Sequence, residues 1–126
     1  MTAEEKLQEL NLELPPAPVP LGVYKPLLIY GNTAYLSGHG PVKSDGTLIA
    51  GRIGEELNQQ DGYNAARQTG LAILATLKSQ LGSLNRVKRV IKLLGFVNST
   101  ESFNQQPAVV NGCSDLFAEV FGKETG

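Results

Sequence analysis

The spacing of apolar residues changes several times along the chain, and each change marks an element. Leu27 to Tyr30 and Thr33 to Ser37 are β-prone runs separated by Gly31-Asn32. That pair suits the positive φ angles of a two-residue turn, so the segment predicts a hairpin. From Asp61 the period lengthens to that of a helix. Ala65, Thr69, Ala72, Ile73, Thr76, Leu77 and Gln80 share one face, Leu71, Leu74 and Leu81 widen the stripe, and Gly82 stops it. Asp61 reads as the N-cap of this helix. The run Val87 to Val97 lacks clean alternation from Leu93 onward, which predicts a central strand covered on both faces. Val109, Cys113, Leu116, Phe117 and Val120 then return to helical spacing, with Pro107 in the first turn and Gly122 after the last apolar residue.

Two stretches carry weaker patterns. Thr2 followed by Ala3-Glu4-Glu5 has an N-cap and an acidic third position, which predicts a short helix over residues 3–10. Behind it, residues 14–20 hold four prolines and run extended, since proline neither donates to a ladder nor continues a helix. Residues 1–20 therefore read as a helix and an arm, and residues 21–126 as one domain. Between the hairpin and the first long helix, Gly38-His39-Gly40-Pro41 and Ser44-Asp45-Gly46 are turns, and Leu48-Ile49 and Ile53 fit a short strand or an extended crossover.

Composition narrows the function classes. Eleven basic against twelve acidic residues leave a net charge of −1, so the overall field favours neither nucleic-acid phosphate nor an anionic membrane. Arg86, Lys88, Arg89 and Lys92 form a basic cluster, but no aromatic residues interleave with it as a single-strand platform needs. A single cysteine, Cys113, excludes an intrachain disulfide and a cysteine-rich zinc site, and one histidine leaves no histidine metal cage. No cofactor is implied. The first residues lack the basic and apolar regions of a secretory signal, and no run approaches the roughly 20 apolar residues of a membrane span, which points to a cytoplasmic protein.

The most suggestive chemistry is Ser37-Gly38-His39-Gly40, where a hydroxyl, an imidazole and two bare backbones follow a strand end. An ordinary strand-to-loop turn has the same composition. Cys113 falls on the apolar stripe of the second long helix, which buries it and raises its thiol pKa, so packing outweighs nucleophilic use. Asn111 points away from that stripe, and Tyr24 either covers a pocket or packs the arm.

Gly22-Val23-Tyr24, Tyr35-Leu36-Ser37-Gly38-His39-Gly40-Pro41, Ala65-Ala66-Arg67-Gln68-Thr69, Phe96-Val97-Asn98 and the segment Phe103 to Phe121, in that order and spacing, resemble the YjgF/YER057c/UK114 family. This is also called the Rid family, and its members are often labelled endoribonuclease L-PSP. The resemblance covers about residues 16–122. It implies an α+β, chorismate-mutase-like fold with a mixed sheet and two long helices on one face, assembled as a homotrimer with ligand clefts between subunits. It also implies hydrolysis of reactive enamines and imines, such as aminoacrylate, to oxo acids and ammonia without metal or cofactor. Carried over by position, Tyr24 lines the cleft, Ser37 and Gly38 contact the ligand, and Asn111 reaches it from the helix. His39 stands where many members have glutamine.

The resemblance further implies two strands after the last helix, the first with an arginine that grips the substrate carboxylate; this sequence stops at Gly126, so its C-terminal strands are read as missing. Arg52 is the substitute candidate for that anchor. The leading reading is therefore an enamine or imine deaminase acting on a small imino acid, impaired by the missing arginine, with backbone and Ser37 hydrogen bonds polarising the substrate. The alternative is a non-enzymatic oligomeric protein that binds a small ligand or partner. An endoribonuclease comes third, since a sole histidine and near-neutral charge supply neither an acid–base pair nor a phosphate track.

Overall fold

Two of the three helices of the computed structural model, which describes residues 1–126, start where a capping box satisfies their first free N–H groups. Helix α1, Ala3–Glu9, opens on a capping box: the Glu5 N–H donates to Thr2 Oγ1 at 3.2 Å and the Thr2 N–H donates to Glu5 Oε1 at 3.1 Å. Helix α2, Gln59–Leu81, uses the same device one turn earlier than expected. Asn58, not Asp61, is its cap. Asp61 occupies the third helical position, where its N–H donates to Asn58 Oδ1 at 2.8 Å and its carboxylate accepts the Asn58 N–H at 2.9 Å. An aspartate before an apolar run reads equally well as cap or as capping-box acid, and the preceding Asn58 takes the cap. Gly82 ends α2 with a left-handed φ of 84°. Helix α3, Gln106–Phe121, has no side-chain cap but carries Pro107 in its first turn and ends at Gly122.

Helices α2 and α3 pack at close range because glycines stand at the crossing. A methyl group at Gly112 would overlap the carbonyl oxygen of Tyr63, and one at Gly70 would come within 2.8 Å of the Leu116 side chain. Along the rim, Tyr63 Oη donates to Asp115 at 2.7 Å and Arg67 pairs with Glu119 at 2.8 Å. Between the helices lie Leu74, Cys113, Leu116, Phe117 and Val120, joined by Leu7 of α1 and by Leu84 of a 3₁₀ turn, Leu84–Arg86. The buried face of α2 is centred on Leu71, Ala72, Leu74, Ala75, Thr76 and Leu77, whereas Gln80 is exposed. Its C-terminal half is buried over a wider arc than the sequence stripe because α3 and the hairpin cover it from different sides.

The hairpin is β1, Leu27–Tyr30, against β2, Thr33–Leu36, antiparallel in the register Leu27↔Leu36 to Tyr30↔Thr33. Only Gly31 takes a positive φ, 63°; Asn32 does not, so the turn needs glycine at its first central position alone. Leu27 and Leu36 face the helices, while the cross-strand pair Leu28↔Tyr35 faces outward. The crossover reduces to isolated bridges, Val42↔Leu48 and Ile53↔Ser99. The fold is thus α+β, with helices on one side of a short sheet.

Val87 to Val97 is not a central strand. Among its backbone N–H groups, Val87 closes the 3₁₀ turn and Val90 donates to the Thr125 carbonyl at 2.7 Å; the others meet no backbone acceptor, so no ladder forms. Nor are both faces covered. Val87, Val90 and Leu93 pack on the core, whereas Ile91, Leu94 and Phe96 are 76, 68 and 91% exposed. The run is apolar on both sides, but one of those sides the single chain does not cover.

Candidate ligand cleft beside the hairpin

Ser37 lies one residue beyond β2, and the hairpin fixes all of its polar groups. Its N–H donates to the Pro26 carbonyl at 3.1 Å, its Oγ donates to the Lys25 carbonyl at 2.5 Å, and its own carbonyl accepts from His39 Nδ1 at 2.7 Å. The hydroxyl hydrogen is therefore committed. Oγ keeps lone pairs for an incoming N–H. The N–H groups of Gly38, His39 and Gly40 donate to no protein acceptor, and the space beside Gly38 is open within 4 Å of where a Cβ would stand. A strand end with one acceptor oxygen and free backbone donors can meet a small molecule that carries both N–H and anionic oxygen.

Two depressions meet at these residues and share Tyr24 and Ser37. One is a crevice of about 20 Å³ between Gly38, His39 and the arm residues Pro18 and Pro20, large enough for about one water molecule. The other is an open hollow of about 310 Å³ walled by Tyr24, Lys25, Leu28, Tyr35, Leu36 and Ser37, at the lower end of small-ligand sites. Tyr24 is 52% exposed and forms the wall between them. Lys25, Leu28 and Tyr35 were absent from the sequence reading. The signal was available in part, because the hairpin register places Leu28 opposite Tyr35 on one face, two residues before Ser37.

His39 sits at the site but turns its ring inward. Nδ1 meets the Ser37 carbonyl, and Nε2 lies 2.8 Å from Oγ1 of Thr76, a residue of α2 that is only 1% exposed. Asn111 and Arg52 border neither depression. Asn111 is exposed on α3, and Arg52 pairs with Glu55 at 3.7 Å and donates to the Ser99 carbonyl at 3.4 Å. Cys113 is buried between α2 and α3, and burial pushes its thiol up to about 12, which suits packing and not attack. No three His, Cys, Asp or Glu side chains are grouped to hold a metal ion, and no helix is long and apolar enough to cross a membrane.

The family model described as "YjgF/chorismate mutase-like, putative endoribonuclease" matches residues 4–126. The chain belongs to that family. It is 41% identical over 120 residues to Protein TCP17 of Trypanosoma cruzi, covering 95% of this chain and 75% of that protein. A crystal structure of a "putative endoribonuclease" from Shewanella oneidensis MR-1 superposes with a TM-score of 0.94 at 35% identity, covering 100% of this chain and 83% of the other. The protein Atu1372 of Agrobacterium tumefaciens, of unknown function, gives a TM-score of 0.86 at 37% identity over 98% of this chain and 75% of its own.

Proposed function

We propose that the protein hydrolyses a small enamine or imine of an amino acid to the oxo acid and ammonia, at the cleft between Tyr24, Ser37 and Gly38. One observation carries this reading: Ser37 Oγ has its hydrogen on the Lys25 carbonyl and is left as an acceptor, beside the free N–H of Gly38. An imino acid presents the complement, an N–H and a carboxylate two bonds apart. Ser37 Oγ accepts the imine N–H, and the Gly38 N–H donates to a carboxylate oxygen. The Lys25 ammonium, on the wall of the hollow, supplies the positive charge for that carboxylate that the sequence reading sought in Arg52. Water adds to the C=N carbon, and the resulting carbinolamine expels ammonia as the carbonyl forms. The protein contributes orientation and a polar frame for the charge that develops on nitrogen.

The same reading makes the protein a homotrimer with clefts between copies. Leu28, Tyr35, Ile91, Leu94 and Phe96 are all more than half exposed, and exposed apolar side chains of this size supply the surface that assembly would cover. Asn111, which borders neither depression of its own chain, enters the cleft from a neighbouring copy.

Ammonia release from 2-iminopropanoate generated in situ tests the proposal. Ser37→Ala should lower kcat/KM by about tenfold or more, as expected for loss of one polar contact to the reacting group. Lys25→Met should raise KM more than it lowers kcat. Saturable binding of pyruvate with no ammonia release would instead favour the non-enzymatic binder. The endoribonuclease reading has less support, because both nitrogens of the only histidine are already engaged within the protein.

A further inference from the structure

The loop after β2 is tied to helix α2 by two side chains two turns apart. Gln68 Nε2 donates to the Val42 carbonyl at 2.6 Å, and Thr76 meets His39 Nε2 at 2.8 Å. Gly38 and Gly40 flank the His39 tie, and the N–H groups of all three residues bond to nothing in the protein. Gly38 and His39 make no backbone hydrogen bond, whereas the Gly40 carbonyl accepts the Val42 N–H at 2.8 Å, so the stretch is loosest at Gly38. The ring of His39 is what joins it to the core.

The partners of that ring fix its tautomer. The Ser37 carbonyl can only accept, so Nδ1 must carry a hydrogen and donate to it at 2.7 Å. In the neutral ring Nε2 then offers a lone pair, and the Thr76 hydroxyl, buried where water does not reach, donates to it. The chain of donors runs one way, from Thr76 to His39 to the Ser37 carbonyl. We infer that His39 is a positioning residue locked in the Nδ1–H tautomer, which anchors the Ser37 carbonyl to α2 and so holds the Ser37 Oγ and Gly38 N–H in the orientation the ligand meets. It acts through Ser37 and is not the acid or base of the site. This rests on the reading that Ser37 and Gly38 form the ligand contacts, and it adds the device that aligns them.

The relay makes different demands on different substitutions. Thr76→Val keeps the volume and removes the donor to Nε2. His39→Gln places an amide near the former Nε2 and gives up the contact to Ser37, whereas His39→Asn does the reverse. Nitrogen-15 NMR of the imidazole in the wild-type protein should show the Nδ1–H tautomer. In Thr76→Val the Ser37 carbonyl still keeps the hydrogen on Nδ1, but the Nε2 resonance should shift for want of its donor, and the Gly38 and His39 amide signals should shift or broaden while the signals of α3 stay in place. With pyruvate as the probe, Thr76→Val and His39→Gln should weaken binding about five- to tenfold, and His39→Asn less, because it keeps the hydrogen bond to Ser37. An Nε2–H tautomer in the wild type, or unchanged Gly38 amide signals in Thr76→Val, would overturn the inference. If wild-type protein releases no ammonia from 2-iminopropanoate, the proposed function falls, and the tautomer and amide signals still decide the role of His39.

Discussion

The two sides of this molecule are finished to different degrees. On the helical side, Leu74, Leu84 and Leu116 have no exposed surface, glycines let α2 and α3 touch, and every buried side-chain polar atom has a partner. On the sheet side, Phe96 is 91% exposed, Tyr30 80% and Ile91 76%, and most N–H groups of residues 88–97 lack a backbone acceptor. A core closes when apolar surface and backbone groups are satisfied together. The helices satisfy their backbones internally and need only one another, whereas an extended segment depends on a neighbouring strand. The candidate cleft lies at the seam: its loop is held by the finished side through His39 and Gln68, and its walls, Leu28 and Tyr35, belong to the open side.

Truncation on the finished side should have the largest effect. Leu116→Ala removes a fully buried side chain that touches α2 and should destabilise the chain by about 3 to 5 kcal/mol, read from urea unfolding followed by circular dichroism. A loss below 1 kcal/mol would mean that the helical layer is not the closed core described here.

Cys113 offers a smaller and chemically distinct probe of that layer. Cys113→Ala should cost about 1 kcal/mol through lost volume. Because burial raises the thiol from 9.0 to about 12, the folded chain holds its proton where the unfolded chain releases it. The associated stability is present below about pH 9 and declines as pH rises toward about 12, so unfolding midpoints of the wild type should fall over that window more than those of Cys113→Ala. Native alkylation should be slow and should become fast in denaturant. Fast native alkylation would place Cys113 outside the packed layer.

The smallest effect on single-chain stability belongs to the open side. Phe96→Ser should change the unfolding free energy of the dilute, unassociated chain by less than about 0.5 kcal/mol, since the ring is already in water. Its effect should appear in association, as a lower mass by light scattering at concentrations where the wild type is oligomeric. Equal masses for the two proteins would separate this face from assembly.

Most of the local structure was legible in the residues themselves. Thr2 and Glu5 cap α1, Gly31 turns the hairpin, Gly82 and Gly122 end the long helices, and the spacing from Val109 to Val120 marks the buried face of α3; each depends on interactions within a few residues. The start of α2 lies one turn before Asp61 because Asn58 and Asp61, three residues apart, satisfy the same local capping rule. Tertiary structure alone decided the rest. Residues 87–97 have the composition of a buried strand, but strand character requires a partner at hydrogen-bond distance, which local sequence cannot supply. Ser37 was visible as a candidate, whereas the direction of its hydroxyl hydrogen depends on the Lys25 carbonyl twelve residues earlier. His39 read as a group facing a ligand; Thr76, thirty-seven residues away on α2, turns it inward, because hydrogen-bond direction is set by what the fold places on each side of the ring.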